Sequence, residues 1–147
     1  MLKLKSLYDV DFNLWVEAQV LALKSERLED LDLPNLIEEI EYLARKDKKA
    51  LRSYLEVLLM HLLKWQFQPS KRSKSWKVSV TRARLEIEDI FEDSPSLKNY
   101  LPTVVNRVYA RARTVAEQET ELNITTFPAD CPYTLEQALN VDFWPNG

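Results

Sequence analysis

This chain of 147 residues has one glycine, and it is the last residue, Gly147. That count removes much of the fold repertoire. Tight primed hairpin turns need positive φ, which glycine adopts without steric cost. Phosphate-cradling loops need glycine so that backbone N–H groups can approach the ligand closely. Neither a P-loop nor a dinucleotide fingerprint is therefore expected. A chain almost free of glycine and rich in Leu, Glu, Lys, Arg and Ala reads as all-α.

The longest helical stretch runs from Pro34 to Phe67, with no Gly or Pro after its first residue. Leu36, Ile40, Leu43, Ala50, Tyr54, Leu58, His61 and Trp65 recur at steps of three, four or seven, which predicts a helix with one buried face. Asp32 is placed to cap it, Pro34 fits its first turn, and Pro69 stops it. At 1.5 Å per residue it spans about 50 Å, the spine of a bundle. Before it, residues 1–8 read as a loose arm. Asp9 or Asp11 caps a first helix to about Ser25, with Phe12, Trp15, Val16, Ala18, Gln19 and Leu23 on its apolar face. After it, Ser73 or Ser75 caps a third helix to about Glu92, with the stripe Trp76, Val80, Ala83, Ile87 and Ile90. Ser94-Pro95 restarts the chain into a fourth helix to about Glu121. Its seam is Leu97, Leu101, Val104, Val108, Ala112, Val115 and Glu119, and Pro102 predicts a kink or a short helix before a longer one. Residues 123–147 hold three prolines and the aromatics Phe127, Tyr133, Phe143 and Trp144, too many for a free tail. The capping-box spacing of Thr134 and Gln137 places a short helix over Leu135–Leu139, in a tail folded back on the bundle. The expected architecture is an up-down bundle of four main helices in a single domain, 1–147.

Composition fits that picture, with 46% hydrophobic and 29% charged residues, as in a soluble globular domain. No run reaches the 18 apolar residues of a membrane span, because Glu56 and His61 interrupt Leu55–Leu63. Met1-Leu-Lys-Leu-Lys5 lacks the apolar stretch of a secretory signal. The one cysteine, Cys131, excludes an internal disulfide framework and fits a reducing compartment. A cytoplasmic protein with no membrane partner is expected.

Charge is strongly segregated. Residues 1–41 hold ten acids and four bases, residues 42–84 two acids and twelve bases, and residues 85–147 eleven acids and four bases. The basic block interleaves Lys64, Lys71, Arg72, Lys74, Lys77, Arg82 and Arg84 with Trp65, Phe67 and Trp76. Together with His61 these mark a surface or phosphate-binding patch: His61, Lys64, Trp65, Lys71, Arg72, Lys74, Trp76 and Lys77. Its acidic counterpart is Glu38, Glu39 and Glu41. With a pI near 5.3 and acidic blocks on both sides, neutralisation within the fold or a solvated corner is the favoured reading over nucleic-acid binding.

Catalytic chemistry finds little footing. A carboxylate-bridged metal bundle needs Glu-x-x-His pairs. The only histidine is His61, and the residue three before it is Leu58. Three-histidine zinc sites fail on the same count. His61 lies on the spine's seam, the place of a hydrogen-bonded residue at the core edge. Nothing places Cys131 or Asp130 beside it for nucleophilic catalysis. No catalytic residue, metal or cofactor is expected.

Several strings taken together carry a family likeness. They are Tyr8-Asp-Val-Asp-Phe12 with Trp15, Leu33-Pro-Asn-Leu-Ile-Glu-Glu-Ile-Glu41, His61-Leu-Leu-Lys-Trp-Gln-Phe-Gln-Pro69, Ser73-Lys-Ser-Trp76, Ser94-Pro-Ser-Leu97, Phe127-Pro128 with Cys131-Pro132, and Thr134-Leu-Glu-Gln137. In order and spacing the chain resembles a bacterial, largely cyanobacterial family catalogued as domain of unknown function 29. The resemblance implies a small all-helical bacterial protein and brings no activity with it. Members of that family often carry a glycine where this chain has Ala44, which implies a stiffer spine here. The expected function is a non-enzymatic protein-interaction or adaptor module, binding another protein or itself. The alternative is a nucleic-acid-associated protein using the basic corner 64–84.

Overall fold

A computed structural model describes residues 6–146, and among them every regular element is helical. The helices are α1 (Leu7–Val10), α2 (Phe12–Lys24), α3 (Leu33–Phe67), α4 (Lys74–Asp93), α5 (Leu101–Thr120) and α6 (Leu135–Leu139). The four main helices expected are α2, α3, α4 and α5, with α3 the long one. Among the described residues, no helix is long and apolar enough to cross a membrane. The chain divides into two compact units, Met1–Arg45 and Lys46–Gly147. The division falls between Arg45 and Lys46, within the residue range of α3.

In the first unit, α1 takes in residues 7 and 8 of what was expected to be a loose arm; residues 1–5 of that arm lie outside the described residues. Asp11 caps α2 by accepting from the Leu14 amide at 3.1 Å. Trp15 is buried, and Tyr8 and Phe12 lie 4.8 and 5.6 Å from its ring. The indole N–H of Trp15 donates to Asp32 at 3.0 Å, and the Asp32 amide donates to Gln19 Oε1 at 2.8 Å. Asp32 also accepts from the Asn35 amide and side chain, which starts α3. Those bonds, Asn35's side chain first, hold the Asp32 carboxyl below its ordinary value against the opposing effect of desolvation.

Burial in this unit ends with Trp15, Gln19 and Ala22. Phe12 and Leu23, expected on the buried face of the first helix, are each 50% exposed. On the spine, Ile40 and Leu43 are 64% and 61% exposed, against the expected seam. The contacts explain why: α1 reaches α3 through Tyr8, whose hydroxyl donates to Glu39 at 2.5 Å. Glu39 lies on a different side of the helix from the stripe Leu33, Ile37, Ile40. The period marked the apolar face correctly, but α1 and α2 leave it uncovered.

The second unit is packed quite differently. Leu51, Leu55, Leu58, Leu59, Met60, Leu62 and Leu63 are buried over more than half the circumference of α3, a broad apolar face rather than a narrow seam. Val80, Ala83 and Ile87 of α4 and Leu101, Val104, Val108, Tyr109, Ala112 and Ala116 of α5 share their core. Each fully buried leucine contributes about 1.5–3 kcal/mol relative to its exposed state. Ser73 caps α4 by accepting from the Trp76 amide. Pro102 produces no kink in the middle of a helix. It sits in the first turn of α5, after a 3-10 turn at Pro95–Asn99. That is the short-then-long alternative, and it suits a residue without an N–H.

The tail is bound to this core at several points. Thr134 and Gln137 form the reciprocal capping box of α6. Phe127, Tyr133 and Ala138 are buried, and the Tyr133 hydroxyl donates to Gln66 at 2.7 Å. Arg113 of α5 donates to the carbonyls of Ile124 and Phe127. Arg84 of α4, 3% exposed, donates to the carbonyls of Ala138, Val141 and Phe143.

Candidate functional site

The basic and aromatic residues picked out by composition converge where α3 ends and α4 begins. Pro69 terminates α3 in a 3-10 turn over Pro69–Lys71, and the Ser73 cap fixes where α4 starts. This brings Lys64 and Trp65 beside Arg72, Trp76 and Lys77. Lys64 Nζ lies 4.7 Å from the Trp76 ring. Around Trp65 sit the Arg72 guanidinium at 4.8 Å, Lys77 Nζ at 5.9 Å and the Trp144 ring at 4.6 Å. Arg72 Nε also donates to the Trp65 carbonyl at 2.8 Å.

These contacts settle what each group is free to do. Lys64 is 9% exposed, and its ammonium lies 3.0 Å from the Glu119 carboxylate of α5. The acid paired with Lys64 is therefore Glu119. Within the first unit, Glu39 accepts from Tyr8 and Glu41 lies 3.9 Å from Arg45, while Glu38 is exposed. Arg84, a member of the basic set in the sequence, is removed from any outward role because it clamps the tail. Burial lowers its pKa, with Asp142 opposing. Lys71 and Lys74 remain exposed. The aromatic faces a base would stack on already carry Arg72, Lys77, Lys64 and Trp144.

His61 is half-buried, with Nδ1 2.8 Å from the Val57 carbonyl one turn earlier. That contact assigns the proton to Nδ1. Burial lowers its pKa, the Val57 carbonyl opposes, and Lys64 lowers it further. A neutral ring held by its own helix is a structural histidine at the core edge. Cys131 is half-buried, its thiol donates to the Tyr133 carbonyl at 3.3 Å, and burial raises its pKa. A thiol held protonated is a poor nucleophile. Among the described residues, no three His, Cys, Asp or Glu side chains converge as a metal set.

Two features escaped the sequence reading. One is a groove of about 340 Å³ between α3 and α5, lined by Lys49, Arg52, Ser53, Glu56, Arg107, Val108 and Arg111. Glu56 is taken by Arg111 at 2.6 Å, and Arg52 donates to the Tyr100 hydroxyl. Among the described residues, Lys49 and Arg107 form no ion pair. The sequence signals were the basic block 42–84, which holds Lys49 and Arg52, and the i, i+4 spacing of Arg107 and Arg111, like charges stacked on one helix face.

The other is the apolar surface of the first unit. Of seventeen large hydrophobic residues exposed among the described residues, thirteen belong to residues 7–43, from Leu7 to Leu43. Four belong to the second unit: Val57, Val78, Leu85 and Val141. On α3, Leu33, Ile37 and Ile40 form a stripe at helical spacing, each at least 55% exposed. Glu41 borders it on one side, 3.9 Å from Arg45, and Glu38 lies further round the same side, both exposed.

No curated protein and no solved structure matches this chain. A family model described as "Domain of unknown function DUF29" matches residues 7–144, nearly the whole length, and the chain belongs to that family.

Proposed function

We propose that the protein is a non-enzymatic interaction module of the cytoplasm, docking a partner protein through its N-terminal unit. The observation that carries this reading is the concentration of exposed large hydrophobics in residues 7–43. Exposed apolar side chains gathered on one part of a folded domain mark interaction sites. The unit holds 45 residues, a size at which a core alone seldom suffices for stability. The neutral, helix-bound His61 and the protonated thiol of Cys131 favour a binding role over catalysis.

The test is co-purification of the tagged, full-length protein from its native host after nuclease treatment. Wild type is compared with Ile37→Asp/Ile40→Asp in the first unit and Leu85→Asp in the second. Leu85 is 51% exposed and serves as an equally apolar control. The expected result is protein partners recovered with wild type and the Leu85 variant and lost from the double variant. Equal recovery with all three removes the N-terminal surface from the account.

A second reading, nucleic-acid association, draws on the α3–α5 groove rather than the 64–84 corner. Four cations line it with one carboxylate. On this reading, fluorescence anisotropy with single-stranded RNA shows binding that weakens steeply with salt and falls at least tenfold in Lys49→Glu/Arg107→Glu. Binding that is insensitive to salt or to that variant rejects it.

A further inference from the structure

We infer that the occupant of the N-terminal surface is a basic amphipathic helix of a partner protein, laid along the stripe Leu33, Ile37, Ile40 with its cations against Glu38 and Glu41. This rests on the docking reading above and adds the chemistry of the partner. A helix fits because the stripe itself runs along a helix, with exposed anchors at steps of four and three. Two amphipathic helices pack through matching rows of side chains at such spacing.

Charge selects among the possible occupants. Residues 1–45 hold ten acids against five bases, a net −5, whereas residues 46–147 hold thirteen acids against fifteen bases, a net +2. An anionic lipid surface attracts amphipathic helices whose polar face is basic, and this one is acidic. Nucleic acid is repelled for the same reason. A second copy joined through the same surface sets −5 against −5, and like charges across an interface are costly. Docking instead on the more basic second unit of another copy offers few apolar side chains, since only four large ones are exposed there. An apolar stripe with an acidic rim is complementary to an apolar stripe with a basic rim.

The test uses the full-length chain and three synthetic 18-residue peptides. The first is a helix with leucine at i, i+3, i+4 and i+7 and lysine elsewhere. The second replaces its lysines with glutamate, and the third replaces its leucines with serine. Calorimetric titration is expected to show micromolar binding of the first and at least tenfold weaker binding of the other two. Ile37→Asp/Ile40→Asp abolishes binding, Glu38→Lys/Glu41→Lys weakens it at least tenfold, and Leu85→Asp leaves it unchanged. All substituted positions are exposed, and circular dichroism confirms that each variant folds.

Binding of the basic peptide that ignores the N-terminal variants, or equal binding of the acidic peptide, overturns the proposal. So does a wild-type dimer by light scattering that dissociates in the isoleucine variant, because the surface then belongs to a second copy. Recruitment of the wild type to phosphatidylserine vesicles, lost in that variant, overturns it in favour of lipid. Failure with all three peptides overturns the basic helix. The docking reading then stands or falls separately on whether native partners are still lost from the isoleucine variant.

Discussion

The two ends of α3 make contrasting use of the same kind of sequence. Residues 51–63 place seven large apolar side chains inside a core closed by α4, α5 and the tail. Residues 33–43 carry a comparable stripe, yet Ile37, Ile40 and Leu43 are each more than half exposed. Period alone does not distinguish the two. The difference lies in what the rest of the chain supplies: α4, α5 and α6 bring apolar faces to the second unit. The links made to α3 in the first unit are largely polar ones, through Asp32 and Glu39. One part of the helix is finished by its own chain, and the other presents an unfilled face.

The largest expected effect sharpens that contrast through truncation. Leu58→Ala, at a fully buried site, is expected to lower stability by about 3–5 kcal/mol. Ile40→Ala, the same kind of deletion on the same helix, should lie within about 0.5 kcal/mol of wild type. Urea denaturation measures both, and equal losses would break the comparison. Next comes the tail clamp. Arg84→Met removes donors from three carbonyls, and a loss of about 3 kcal/mol with faster proteolysis of the chain after Phe127 is expected. A smaller effect attends the corner: Lys64→Met leaves Glu119 half-exposed and unpaired, for a loss of about 1 kcal/mol.

His61 gives the second unit a pH dependence with a definite sign. Burial holds its folded pKa below the unfolded value of 6.5. Its contribution is therefore complete above pH 6.5 and is lost as pH falls from there through the folded pKa, where the unfolded chain binds the proton more readily. His61→Gln should flatten the slope of stability against pH in that window, measured by thermal melts; an unchanged slope would remove His61 as its source. The smallest effect tests the junction between the units. Ala44 is exposed mid-helix, so Ala44→Gly should cost about 0.5–1 kcal/mol in helix propensity and leave the core intact.

Local signals were legible in the sequence. Ser73 and the Thr134–Gln137 capping box bond within three residues of themselves, so spacing alone identified them. The clustering of Lys64, Trp65, Arg72 and Trp76 was readable because a proline-ended helix, a short turn and a cap bring them together. Arg84 was misplaced because its acceptors lie 54 to 59 residues further on, and nothing near it in sequence names them. Glu119 was read as a seam position, but its partner lies 55 residues away. The α3–α5 groove needed the pairing of two helices before its four cations could be seen as one feature. Ile40 and Leu43 show the deeper limit. Apolar periodicity states which side of a helix avoids water, while only the tertiary structure states whether this chain covers it.

Hydrogen exchange along α3 of the full-length protein tests the central claim most directly, because it reads both units on one continuous helix. The account predicts strong protection at the amides of residues 51–63 and exchange faster by at least a hundredfold at residues 36–45, where apolar packing is thin. It also predicts that residues 36–45 slow when the basic peptide binds while residues 51–63 stay unchanged. Uniform protection from Leu36 to Phe67 in the free protein would contradict it, since the N-terminal unit would then be as complete as the core.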